Sequence, residues 1–343
     1  MSLLFLRDHI SWFGSHTGYE VLTRFVANGR DCSVIAPRRG QMARYLGSAY
    51  ARLQGRSGRG AASLSQLEFR VRRRLRRPDA SHILYLENHF DLLRSSTTNK
   101  ELIGTIHLPS KIWQPEQCAL LSRMKSALVL YQRDIPFFEQ YVGKGRVRFI
   151  HHGADTEFFK PDPAKLAQPP RILYSGVYLR NEPMLARVAK RLAELHPELH
   201  FDLLVPKHHR KSPALEPLLN HPSVTWHAGL NDEQLRELYQ ASHLMLLPMN
   251  DSGANTAVVE ALASGLPLAT TDVGGIRDYG GGSIFPLVSN DDDDAMVKLV
   301  ERYIADPEWR DETSRNCRQF AERELAWPLV ARKHMELYQE LLA

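Results

Sequence analysis

The segment MNDSGANTAVVEALASGLPLATTDVGGIRDY, Met249 to Tyr279, holds the residues best suited to chemistry. It opens on a turn of small residues, Gly253, Ala254, Asn255 and Thr256, which lets a ligand approach the backbone closely. A helix then carries Glu260 and stops at Gly265 and Pro267. Exposed amides at the start of such a helix, with its dipole, favour a phosphate. A carboxylate one turn further in can accept hydrogen bonds from the two neighbouring hydroxyls of a ribose. The plain alternative is a helix with a solvated Glu260.

Other residues offer less specific chemistry. His107, in GTIHLPS, ends an apolar run, where it can hydrogen-bond a sugar or serve only as a satisfied loop residue. Gly18, in GSHTGYEVL, either lets a turn meet a phosphate or acceptor or simply makes the turn tight. LEFRVRRRLRRPD carries six arginines from Arg70 to Arg77, and Leu64, Leu67, Val71 and Leu75 are spaced as one apolar stripe. Such a helix suits an anionic lipid surface or an anionic acceptor, or is a solvated basic face. No nucleic-acid module accompanies it. Asp291 to Asp294 precede a helical stretch, so capping explains them better than a metal. The pairs His151–His152 and His208–His209 lack a third ligand, and no metal is expected.

The elements that must position these residues alternate. Apolar runs at 3–6, Asp31–Pro37, His82–Asn88, Leu102–His107, Ser126–Gln132 and Arg146–Gly153 read as strands, and Tyr19 to Gly29 as a helix. A proline-rich stretch follows, Asp155 to Pro170. A second series has strands at Arg171–Gly176, Phe201–Pro206, Ser223–Gly229, His243–Met249 and Leu266–Asp272, with helices at Met184–His196, Asp232–Ser242 and Ala295–Ile304. Pro328 to Leu342 has helical apolar spacing. Short buried strands between helices imply parallel sheets covered on both faces, with ligands at the strands' carboxyl ends.

Bulk properties agree with two domains in 343 residues, 43% of them hydrophobic. The apolar run at the amino terminus is too short for a secretion signal, and three scattered cysteines make no disulfide or zinc pattern. A cytoplasmic chain is expected. Charge is uneven: 25 Lys and Arg face 13 Asp and Glu through Lys160, against 19 and 26 afterwards. The first half is expected to meet something anionic.

The stretch AVVEALASGLPLATTDVGGIRDY, with FIHHGADTEFFKP (Phe149 to Pro161), GTIHLPS and DEQLRELYQASHLMLLPM, resembles retaining glycosyltransferase family four, the glycosyl transferases group 1. The resemblance implies the GT-B fold: two Rossmann-like doubly wound α/β domains facing across a cleft. It places an amino-terminal acceptor-side domain at 1–153, a hinge at 154–170, a nucleotide-sugar domain at 171–325, and a terminal helix at 326–343 packing back on the first domain. It implies transfer from a nucleotide-diphosphate sugar to a lipid-linked or glycan acceptor, without metal or bound cofactor, by a protein peripheral to the inner face of the membrane. Glu260 would hold the ribose and His107 the sugar. The family's first glutamate falls at Ser252, so Ser252 and Asn255 would supply replacement polar contacts. The family's phosphate-binding Arg and Lys are out of register after Gly176, which leaves Arg180 as the nearest cation, with Lys207, Arg210 and Lys211 as others. A nucleotide-sugar epimerase and a donor-binding but inactive subunit are the alternatives.

Overall fold

The computed structural model describes residues 1–8, 10, 13–27, 31–38, 40–53, 60–94, 99–253 and 255–342, with residues 99 and 100 as backbone only. The chain divides into two compact units. Unit 1 comprises Met1–Ser11, Tyr19–Ile150 and Val330–Ala343; unit 2 comprises Trp12–Gly18 and His151–Leu329.

Unit 1 is built on a six-stranded sheet: β1 (Leu3–Leu6), β2 (Cys32–Ile35), β3 (Ala80–Ile83), β4 (Asn99–Ile106), β5 (Met124–Val129) and β6 (Val147–Phe149), in the order β2-β1-β3-β4-β5-β6. Every pairing is parallel; Leu3 lies opposite both Cys32 and Ala80. All four residues of β1 are buried, as a sheet covered on both faces requires. The helices are α1 (Leu22–Ala27), α2 (Gln41–Leu53), α3 (Gly60–Arg76), α4 (Pro115–Leu120) and α5 (Ile135–Val142).

Two local expectations change. The apolar run His82–Asn88 is not one strand: β3 stops at Ile83, and Leu86–Asn88 forms a tight turn in which the Asn88 N–H donates to the Tyr85 carbonyl. A short apolar run does not distinguish a strand from a buried turn. In α3 the stripe Leu64, Leu67, Val71, Leu75 is not the packed side, since Ser63, Ser65, Gln66 and Phe69 are the buried residues. The helix from Tyr19 begins as a 3₁₀ turn, Tyr19–Val21, and continues as α1; its expected stop at Gly29 lies outside the described residues.

Unit 2 repeats the plan with β7 (Arg171–Ser175), β8 (His200–Leu204), β9 (Val224–His227), β10 (Leu244–Leu247), β11 (Leu268–Thr271) and β12 (Leu287–Val288), ordered β12-β11-β10-β7-β8-β9 and parallel throughout. Its helices are α6 (Glu182–Leu195), α7 (Asp232–Ala241), α8 (Thr256–Ala263), α9 (Asp293–Ala305) and α10 (Pro307–Phe320). Side chains start them: Asn181 caps α6, Asn231 caps α7 with Gln234 returning the bond, and Asp292 caps α9 by accepting from the Ala295 N–H at 2.8 Å. Asp293 and Asp294 pair with Arg187 and Arg191, so the acidic run is taken up by capping and ion pairs. Residues 154–170 pack within unit 2, with Phe159 fully buried and the Ala154 N–H donating to the Leu325 carbonyl.

The last helix, α11 (Trp327–Leu342), belongs to unit 1 from Val330 onward. There His334 meets the Tyr19 hydroxyl at 2.8 Å, and the Tyr338 hydroxyl meets His82 at 2.6 Å. Strand order reverses between β1 and β3 in unit 1 and between β7 and β10 in unit 2. Those two points are where open α/β sheets bind ligands.

Candidate functional site

At the reversal in unit 2 the loops after β7 and β10 are tied together. The Asn181 N–H donates to the Pro248 carbonyl and the Asn250 N–H to the Leu179 carbonyl, both at 2.9 Å. Gly176 leaves β7 with φ +90°, and a Cβ there would lie 2.7 Å from the Arg180 guanidinium. Glycine therefore supplies both the backbone angle and the space for Arg180 to fold back. Arg180 donates to the carbonyls of Ser175 and Tyr178, at 3.0 and 3.1 Å, and to the Asn255 side chain at 3.2 Å. A predicted cation thus stands beside a predicted turn residue, at the start of α8.

Asn255 caps α8, its side chain accepting from the Ala257 N–H at 3.2 Å. Thr256 is the first residue of the helix. Ser252 is buried, and its hydroxyl donates to the Gly253 carbonyl at 3.1 Å. The Ser252 carbonyl accepts from the Gly275 N–H at 2.7 Å, and a Cβ on Gly274 would lie 2.0 Å from that oxygen. The pair Gly274–Gly275 therefore lets the next loop close on this turn. Ala254 lies outside the described residues.

Glu260 is one turn inside α8 and buried. One carboxyl oxygen accepts from the Tyr239 hydroxyl at 3.0 Å. The other, Oε1, is buried without a hydrogen-bond partner among the described residues. Burial pushes the carboxyl up to about 8, while the Tyr239 and Thr17 hydroxyls pull the other way. A buried carboxyl oxygen without a donor is costly unless something supplies one, and a vicinal diol is such a donor.

Thr17 comes from the loop that sequence reading singled out around Gly18, which has φ +95°. Asp232, at the start of α7, accepts from the Ser15 and His16 N–H groups. His16 bonds Asp155 at 2.6 Å and stacks on Phe158 with ring centroids 3.9 Å apart. Lys207 is exposed three residues after β8, at the same strand end as Arg180. Tyr239, Thr17 and Asp232 were not singled out from sequence. Tyr239 and Asp232 stand in the DEQLRELYQ stretch, but pairings across 21 and more residues carry no sequence signal.

His107 belongs to unit 1, at the carboxyl end of β4. Its Nε2 meets the Leu84 carbonyl at 2.7 Å, and its ring stacks on Tyr85 at 4.5 Å. Glu87 accepts from the His107 and Leu108 N–H groups, and burial pushes its carboxyl up to about 7. The structure thus brings Glu260, Asn255, Thr256, Arg180 and Ser252 to one strand-end region of unit 2, with Lys207 at the same sheet edge and His107 in the other unit. Among the described residues no group of acidic, His and Cys side chains is arranged to hold a metal.

The family model for glycosyl transferases group 1 matches residues 155–322. The D-inositol 3-phosphate glycosyltransferase of Streptomyces avermitilis is 22% identical over 218 residues, 57% of this chain and 47% of that protein. The MMP alpha-(1->4)-mannosyltransferase of Mycolicibacterium hassiacum is 27% identical over 118 residues, 34% of this chain and 29% of that protein. The chain thus spans about half or less of the length of these curated relatives. Sucrose-phosphate synthase from Thermosynechococcus elongatus superposes with a TM-score of 0.76 at 16% identity, covering 99% of each chain. HepE of Anabaena, solved in complex with UDP and glucose, gives 0.75 at 15% identity, covering 99% of this chain and all of that one. Residues 155–322, around Glu260, match the glycosyl transferases group 1 family, and with its two parallel six-stranded sheets the chain has the GT-B fold.

Proposed function

We propose that the chain is a retaining glycosyltransferase, moving a sugar from a nucleotide-diphosphate sugar to a lipid-linked or glycan acceptor. The observation that carries this reading is the buried Glu260 carboxyl, one turn behind the start of α8, with one oxygen unpartnered. Vicinal ribose hydroxyls would complete it. The amides at the start of α8 then face the diphosphate, where charge builds as the leaving group departs. Arg180 and Lys207 are the cations placed to offset that charge. HepE, solved with UDP and glucose, supports a nucleotide-diphosphate donor. His107 is assigned to the transferred sugar on the family resemblance.

Ser252 favours a second reading. Its hydroxyl is buried on the Gly253 carbonyl, in the place of a family glutamate, which fits a subunit that binds donor without turning it over. A panel of nucleotide sugars separates the two. Slow hydrolysis of one donor by the purified chain, lost in His107→Ala, is the result expected of the enzyme. Tight binding without hydrolysis or transfer assigns the inactive subunit. A membrane-peripheral location also belongs to this reading; among the described residues no helix is long and apolar enough to cross a membrane.

A further inference from the structure

α2 turns its large apolar residues outward. Its packed side is made of small residues, Ala43, Gly47 and Ala51, all buried. A Cβ on Gly47 would come within 1.4 Å of the Gly60 carbonyl oxygen, so α2 and α3 meet backbone to backbone. Met42, Tyr45, Leu46 and Leu53 share the opposite side, at i, i+3, i+4 and i+11. They are 72%, 72%, 54% and 84% exposed. A helix on a soluble unit ordinarily presents such a set to the core. At the end of α3, Leu75 is likewise 77% exposed. An exposed apolar helix side of this kind marks an interaction site.

Charge selects the partner. Between Cys32 and Pro78 the sequence has twelve arginines and one acidic residue, Glu68. Some of that charge is used within the unit: Arg72 pairs with Glu68 at 2.6 Å, Arg73 with Glu101 at 3.1 Å, Arg70 reaches the Asp91 carbonyl and Arg76 the Ser33 hydroxyl. Arg44 and Arg52 on α2, with Arg74 and Arg77 at the end of α3, are exposed and have no side-chain hydrogen bond or ion pair among the described residues. A second copy would bring the same positive charge to the contact. Nucleic acid would take the arginines but leave the apolar side in water. An anionic bilayer interface takes both.

We infer that the outward side of α2, flanked by the end of α3, inserts into the interface of an anionic lipid bilayer. The inference rests on the membrane-peripheral location proposed above and not on the donor chemistry.

The full chain is sedimented with vesicles of phosphatidylcholine, with and without phosphatidylglycerol. Binding is expected only with the anionic lipid, weakening as salt rises from about 0.1 M to about 1 M. The double change Leu46→Gln with Leu53→Gln should lower partitioning roughly tenfold or more. Arg44→Gln with Arg52→Gln should lower it several-fold and flatten the salt dependence. Tyr45→Trp should shift its emission to the blue on anionic vesicles and be quenched by brominated acyl chains. These positions are exposed, so melting and donor hydrolysis should not change. Failure to bind anionic vesicles overturns the inference, as does full binding by the double leucine variant. A dimer in sedimentation equilibrium that the same leucine changes dissolve assigns the side to a second copy. Wild-type hydrolysis without lipid is read separately, so loss of the donor reading is not mistaken for loss of this one.

Discussion

Each unit carries a titratable glutamate beyond a strand end near its sheet's reversal point, half-buried Glu87 in unit 1 and buried Glu260 in α8 of unit 2, and the two are held differently. Glu87 in unit 1 has its carboxyl pushed up to about 7, and Glu260 in unit 2 to about 8. In both, burial is the main cause. Glu87 spends one oxygen on two backbone N–H groups, those of His107 and Leu108. Glu260 accepts from the Tyr239 hydroxyl, has the Thr17 hydroxyl close enough to lower its pKa, and keeps Oε1 without a partner within hydrogen-bond distance. A shifted carboxyl alone is therefore a poor sign of a ligand. The buried oxygen that still lacks a donor is the better one.

The contrast can be broken in order of expected effect. Glu87→Ala leaves two loop N–H groups without their acceptor and should lower unfolding free energy by about 2–4 kcal/mol. Glu87→Gln keeps an acceptor and should recover most of that in denaturant titration. Equal losses for the two variants would remove the scaffold role of Glu87.

Glu260→Gln should act on binding instead. Donor affinity in calorimetry should fall by about 1.5–3 kcal/mol, because a charged acceptor is lost. The same variant no longer has to keep a proton on a buried acid, so melting should not drop. Unchanged affinity would sink the ribose assignment.

Acidity gives a third test. The ribose hydroxyls favour the ionised carboxylate, so donor binding releases a proton from Glu260. Affinity should therefore rise several-fold per pH unit below about 8 and level off above it. Glu260→Gln should flatten that profile. A flat wild-type profile would mean that the donor meets the neutral acid.

Tyr239→Phe should have the smallest effect, about 0.5–1.5 kcal/mol in donor affinity. The lost hydroxyl lowers the Glu260 pKa, so the midpoint of the pH profile should move up. A midpoint that stays put would show that Tyr239 only fills space.

Much of this was legible in the sequence where one segment holds all the relevant parts. The small-residue turn, the Asn255 cap and Glu260 lie within eight residues, and the parallel strands appear as apolar runs of the right length. Residues brought together over distance were not legible. Tyr239 reaches Glu260 across 21 positions, and Asp232 anchors the Ser15 N–H across 217. The arginine run was legible only in part. Local spacing suggests a basic face on α3; Arg72 and Arg73 have carboxylate partners and Arg70 reaches a carbonyl on another segment, while Arg74 and Arg77 stay exposed. The outward stripe of α2 went unseen because periodicity shows that apolar residues share a side and not which side is packed.

The contact between Gly47 and Gly60 also bears on how this surface can diverge. With no side chain between the two backbones, a substitution at Gly47 has nowhere to go, since its Cβ would overlap the Gly60 carbonyl. Met42, Tyr45, Leu46 and Leu53 face no such constraint. Related chains should therefore drift on one side of this helix only, exchanging outward residues as their surroundings differ while the inward glycine stays. In a collection of such chains, a glycine retained beside a variable apolar stripe would be the trace of that history.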